Sequence, residues 1–112
     1  MTDAPDKTPA LIWCPFPDRA TAEEAAGALL DEGLVACANI LPGVVSLYVW
    51  RGARERGEEV GVLFKTNAAA LSQAITRLAE LHPYDEPAVL GWHCDAAAPA
   101  TVEWLAAMGR RS

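Results

Sequence analysis

A chain of 112 residues has the size of one domain, and it is acidic: 15 Asp and Glu against 9 Lys and Arg leave a net charge of −6. That balance excludes the broad basic face with which a protein displaces counterions from nucleic acid. Apolar residues make up 52% of the chain and include four Trp, more than a domain that buries only about 60–70% of its unfolded surface can readily hide.

Residues 1–9 hold two prolines and two aspartates and are expected to form a disordered lead-in to a single domain over 10–112. They lack the basic-then-apolar layout of a signal peptide, and no apolar run approaches the roughly 20 residues of a membrane helix. The three cysteines have no framework spacing, so disulfides are not expected. A cytoplasmic protein without membrane insertion is the expectation.

Ala10–Cys14 reads as a buried strand stopped by Pro15 and Pro17. Thr21-Ala22-Glu23-Glu24 matches a capping box, and Ala22, Ala25, Ala26, Leu29 and Leu30 keep helical spacing up to a C-cap at Gly33. The long apolar run Val35–Arg51 follows, broken at Pro42-Gly43, as one bent strand or two collinear ones. Arg51–Gly57, with two glycines and several charges, reads as a hairpin connection. Glu58–Thr66 returns as a strand with Val60, Val62 and Phe64 on one face and Lys65 on the other. Asn67 caps a second helix with the stripe Leu71, Ala74, Ile75, Leu78 and Leu81, stopped by Pro83. Pro87–Cys94 makes a last strand and Pro99–Met108 a short helix.

The order β-α-β-β-α-β plus a C-terminal helix is the split βαβ, ferredoxin-like arrangement of the α+β class: an antiparallel sheet with both main helices on one face. The bare face would present Trp, Tyr and Val to water, and the overlong second strand would leave unpaired edges. Joining sheets from several copies removes both problems, so self-association is expected without a set number of copies. Tyr48, Trp50 and Trp104 are the aromatic candidates for the contact.

The chemistry-bearing residues each have two readings. Cys14 and Cys37 are soft metal ligands or small core residues. His82, at a helix end, is an imidazole ligand or a complement to the helix C-terminus. Glu59, Lys65, Tyr84 and Asp85 form a polar cleft set or structural pairs. Adjacent His93 and Cys94 would point to opposite faces of a strand. Neither a nucleophile–base pair nor a nucleotide-binding glycine loop is present, so no enzymatic activity is expected.

The string Leu34-Val35-Ala36-Cys37-Ala38-Asn39-Ile40-Leu41-Pro42-Gly43 leads into Ser46-Leu47-Tyr48-Val49-Trp50-Arg51-Gly52. Together with Glu59, Lys65-Thr66, His82-Pro83-Tyr84, Pro87 and Trp104-Leu105, it resembles the signature of the CutA divalent-cation tolerance proteins over Ala10 to Met108. The resemblance implies a homotrimer whose extended strands pair between subunits. It implies binding of divalent ions, copper above all, and a link to metal tolerance. It raises Cys14, Cys37 and His82 together as copper ligands, a donor set that suits copper or zinc and suits calcium or magnesium poorly. The shape also resembles the PII signalling trimers, which bind small effectors between subunits; the alternative is thus a non-catalytic trimer binding a small effector or a protein partner. Ala88 departs from the family's usual glutamate and removes an oxygen donor from the cleft; His93, Ala97 and Thr101 depart from its usual proline, glycine and tyrosine.

Overall fold

The computed structural model describes residues 6–108; residues 1–5, part of the expected disordered lead-in, and 109–112 lie outside the described residues. The elements are β1 (Pro9–Phe16), α1 (Arg19–Asp31), β2 (Cys37–Trp50), β3 (Ala53–Asn67), α2 (Ala68–Leu81), β4 (Leu90–His93) and α3 (Pro99–Ala106). The four strands form one sheet in the order β2-β3-β1-β4, each neighbour antiparallel. This is the expected ferredoxin-like sheet with an added C-terminal helix.

Strand alternation builds the core. Ala10, Ile12, Cys14 and Phe16 of β1 are fully buried, with Ile12 opposite Phe64 and Cys14 opposite Val62. Ala22, Ala25, Ala26 and Leu29 of α1 and Ala74 and Leu78 of α2 close over them. Burying each large side chain contributes about 1.5–3 kcal/mol.

The starts of α1 and α2 are capped by side chains. Asp18, rather than Thr21, caps α1: its carboxylate accepts the Thr21 N–H at 2.8 Å, and Thr21 Oγ1 donates to the Asp18 carbonyl at 3.1 Å. A carboxylate outranks a hydroxyl there because it also meets the positive end of the helix. The other end follows expectation, with the N–H groups of Gly33 and Leu34 closing on the carbonyls of Leu30 and Leu29. Asn67 caps α2, accepting the Ala70 N–H at 3.1 Å. The carbonyls of Thr8 and Asp6 accept the N–H groups of Ala68 and Ala69 at 2.7 Å each, so the described end of the lead-in is held by the first turn of α2.

Several strand limits differ from the sequence expectation, among them the start of β2, which lies at Cys37 and not Val35, Val35 being buried in the core before the strand begins. β1 continues through Pro15 to Phe16 because β4 pairs it only as far as Trp13, leaving Pro15 a ladder on one side alone. The connection expected over Arg51–Gly57 shrinks to Arg51 and Gly52, whose φ values of 51° and 83° make the two-residue turn that matches strand twist. Ala53–Gly57 therefore extend β3. β4 begins at Leu90, not Pro87; Pro87 has no N–H to donate, and Val89 packs against the core instead.

β2 is one strand with a bulge: Leu41 pairs with Gly61 and Val44 with Glu59, so two residues stand opposite Val60, and Gly43 takes φ 80°. β1 ends opposite Val60. From Glu59 outward β2 and β3 pair only with each other, as an arm that stretches the molecule to 51 × 25 × 25 Å. Val45, Leu47, Val49 and Trp50 on this arm are 52%, 68%, 71% and 46% exposed.

α3 is tied to the sheet by a buried amide: Asn67 Nδ2 donates to the Leu105 carbonyl at 2.8 Å, while Leu105 itself is buried. Asn67→Ala removes a cap and orphans that carbonyl. It should cost about 2–3 kcal/mol in urea unfolding at fixed protein concentration, and Asn67→Asp, which keeps the cap but sets a buried carboxylate oxygen against the Leu105 carbonyl, should cost at least as much.

Candidate functional site: a cleft at the base of the arm

Where the arm leaves the sheet it forms one wall of a cleft of about 690 Å³. Ser46, Tyr48, Trp50 and Glu59 line the arm side; Tyr84, Asp85, Glu86 and Ala88 line the segment that follows α2. Pro83 ends the helix, and His82 takes the C-cap with its N–H on the Leu78 carbonyl at 3.0 Å.

His82 fixes the second wall. Its nearly buried ring stacks on Phe16 with centroids 4.3 Å apart. Nδ1 accepts the Tyr84 N–H at 3.1 Å, so the ring proton sits on Nε2, which donates to the Pro15 carbonyl at 2.7 Å. Tyr84 carries the chain onward, its hydroxyl donating to Glu59 Oε2 at 3.0 Å. Partial burial, then the Glu59 carboxylate, pushes the Tyr84 phenol up to about 12. The end of β1, the 83–88 segment and the base of the arm are thereby joined.

The structure brings Glu59, Tyr84 and Asp85 together with Tyr48 and Trp50. It separates Lys65 from them: Lys65 pairs with Leu11 and Cys37, six positions from Glu59 along β3, or about 20 Å at strand spacing. Trp104, half exposed on α3, does not line the cleft.

Of the three thiol and imidazole candidates, two are neighbours. Cys14 Sγ, at 3.7 Å, and His82 Nε2 both reach the Pro15 carbonyl. Cys37 lies on the opposite face of the sheet: Ala38 and Ile40 pack on the core, so Cys37 turns outward beside Lys65, with Sγ 3.7 Å from Asn39 Oδ1. Among the described residues no three of His, Cys, Asp or Glu converge as if to hold an ion. Burial, and to a lesser degree Glu59, raises the Cys14 thiol to about 12, which keeps the metal-binding thiolate scarce. The partner of His82 lies 67 positions away in sequence, beyond any local signal. Glu86 was legible only as part of the polar Tyr84-Asp85-Glu86 run between two prolines.

Residues 10–108 match the family described as CutA1 divalent ion tolerance protein. The divalent-cation tolerance protein CutA of Pectobacterium atrosepticum is 40% identical over 90 residues, covering 80% of this chain and 82% of that one. The CutA crystal structure from Xylella fastidiosa has a TM-score of 0.84 at 39% identity, covering 88% of this chain and 94% of its own. The CutA1 structure from Oryza sativa reaches 0.87 at 27% identity and covers 97% and 100%.

Two titrations test this geometry. Of the two tyrosines, one should ionise near pH 12, and Tyr84→Phe should abolish that transition in a near-UV titration. Because the folded value lies above the ordinary 10, the associated stability is complete below pH 10 and is lost as pH rises towards 12. Cys14, raised from 9.0 to about 12, should have about a thousandfold smaller thiolate fraction at pH 8 than an ordinary thiol and stay silent to a thiol reagent until the protein is unfolded.

Proposed function

We propose a function from one premise: this chain belongs to the CutA1 divalent ion tolerance protein family. The protein acts in the cytoplasm as a non-catalytic homotrimer that binds divalent cations, copper foremost, in the response to metal. The observation that carries the assembly is the uncovered apolar surface. Leu90 and Trp92 on the bare face are 64% and 45% exposed, and the arm adds Leu47 and Val49. Such surface is characteristic of a contact awaiting a partner.

Cys14, Cys37 and His82 are the proposed donors. Cys37 belongs to the bare face, so a site that includes it draws its remaining donors from a neighbouring copy. An ion on His82 Nε2 displaces the Pro15 carbonyl and moves the ring proton to Nδ1, where it opposes the Tyr84 N–H. Metal binding at His82 is in this reading coupled to the wall of the cleft.

Light scattering should give three chains per particle; a single chain at micromolar concentration would overturn the assembly. Native mass spectrometry should show copper on the wild type and less on the Cys37→Ala/His82→Ala variant. Equal uptake would remove these residues from the site.

The cleft supports a second reading, that of a trimer binding a small effector. Its 690 Å³ volume and its aromatic residues Tyr48, Trp50 and Tyr84 favour it. Ala88 presents a methyl group in place of the family's usual carboxylate. A thermal-shift screen of metabolites in which none stabilises the protein would count against this reading.

A further inference from the structure

The arm carries different chemistry on its two faces. Among the described residues the cleft lining includes Glu58, Glu59, Asp85 and Glu86 and no Lys or Arg. Of these four carboxylates only Glu59 has a side-chain partner, the Tyr84 hydroxyl. The register places Tyr48 and Ser46 on the arm face of Glu59, so this side offers aromatic rings as well as negative charge.

The opposite arm face carries Val45, Leu47, Val49, Arg54, Arg56 and Glu58, with Leu47 directly across from Arg56 and Val45 across from Glu58. Val45 and Leu47 are more than half exposed. Among the described residues, ion pairs form between Arg77 and Glu32 and between Arg77 and Glu80, and neither Arg54 nor Arg56 has a carboxylate partner. An apolar surface with two guanidinium groups to one carboxylate therefore lies back to back with an aromatic one that carries Glu55 and Glu59. A paired ribbon cannot fold its outer face into its own cleft, but a second copy can supply that face.

We propose that the arm of a second copy seats in this cleft, with Arg54 and Arg56 on the carboxylates of Asp85 and Glu86 and Leu47 against Tyr48 and Trp50. Guanidinium suits both halves of the seat, since its planar fork meets a carboxylate with two hydrogen bonds and its face stacks on aromatic rings. Partial exclusion of water strengthens each pair beyond its value at an open surface. Because the two surfaces differ, the contact is head-to-tail, and repetition with rotation closes a ring of copies. The seat rests on the homotrimer reading above and adds to it the polarity of the contact and the charges that set it.

The test is a charge-reversal cycle read by light scattering, with circular dichroism as the check on folding. Arg54→Glu/Arg56→Glu and Asp85→Lys/Glu86→Lys should each reduce the particle to single chains of 11.9 kDa. The fourfold variant, in which both signs are exchanged, should regain the mass of three chains. A wild-type trimer whose reversals stay trimeric, or whose fourfold variant fails to recover, overturns the seat and leaves the homotrimer standing. Wild-type protein that runs as a single chain overturns both. A cleft reversal that stays trimeric but loses uptake of Cu(II) or tetramethylammonium in native mass spectrometry overturns the seat and gives the cleft to a small cation.

Discussion

A β-strand turns successive side chains to opposite faces, and in this molecule helices roof only one of them. α1 and α2 cover the face of Ile12, Cys14, Phe16, Val62 and Phe64. Whatever stands at the intervening positions is left to solvent or to another chain. That single asymmetry puts Trp92 and Leu90 outside, sends Cys14 inward and Cys37 outward, and leaves the arm without a helix on either side. The site inherits the same constraint, because its two walls are an uncovered ribbon and a segment pinned to the covered face through His82.

Most of the fold was legible because its signals are local. The alternation in β3, the stripe on α2 and the cap at Asn67 lie within a few residues of one another, and each was realised. The misread limits were cases where a distant neighbour decided. Pro15 could stay in a strand only because β4 stops short of it. Ala53–Gly57 looked like a turn from their glycine and charges, yet a ladder of twelve pairs with β2 absorbs them. Asp18 won the cap from Thr21 by being one more competent residue upstream.

The site was less legible, for the same reason carried further. Glu59, Tyr84 and Asp85 could be grouped by residue type, but Lys65 shares their chemistry and lies at the other end of β3. Parity separates Cys37 from Cys14, and parity depends on a pairing that neither residue reveals. His82 read as an imidazole ligand or as a complement to a helix end; in the fold both of its nitrogens are engaged, by a backbone N–H on one side and a carbonyl on the other. A donor whose lone pair is already in use is a different chemical object from the same residue read as a letter.

The bulge at Pro42-Gly43 has a consequence for how the chain can vary in length. One extra residue on β2 shifts the phase of that strand, so that even-numbered positions face the core before it and the side of Glu59 beyond it. Losing Gly43 would leave Pro42 alone opposite Val60 and erase the bulge, while the pairs from Val44–Glu59 outward, and so the faces of Ser46, Leu47, Tyr48 and Val49, would stay as they are. Removing one residue from each strand beside the turn would only shorten the ribbon and keep its cross-strand partners. A single residue can therefore be lost at the bulge, or one from each strand at the turn, without changing which side chains share a face, and the bulge is the slack in the ladder that takes up a single-residue change.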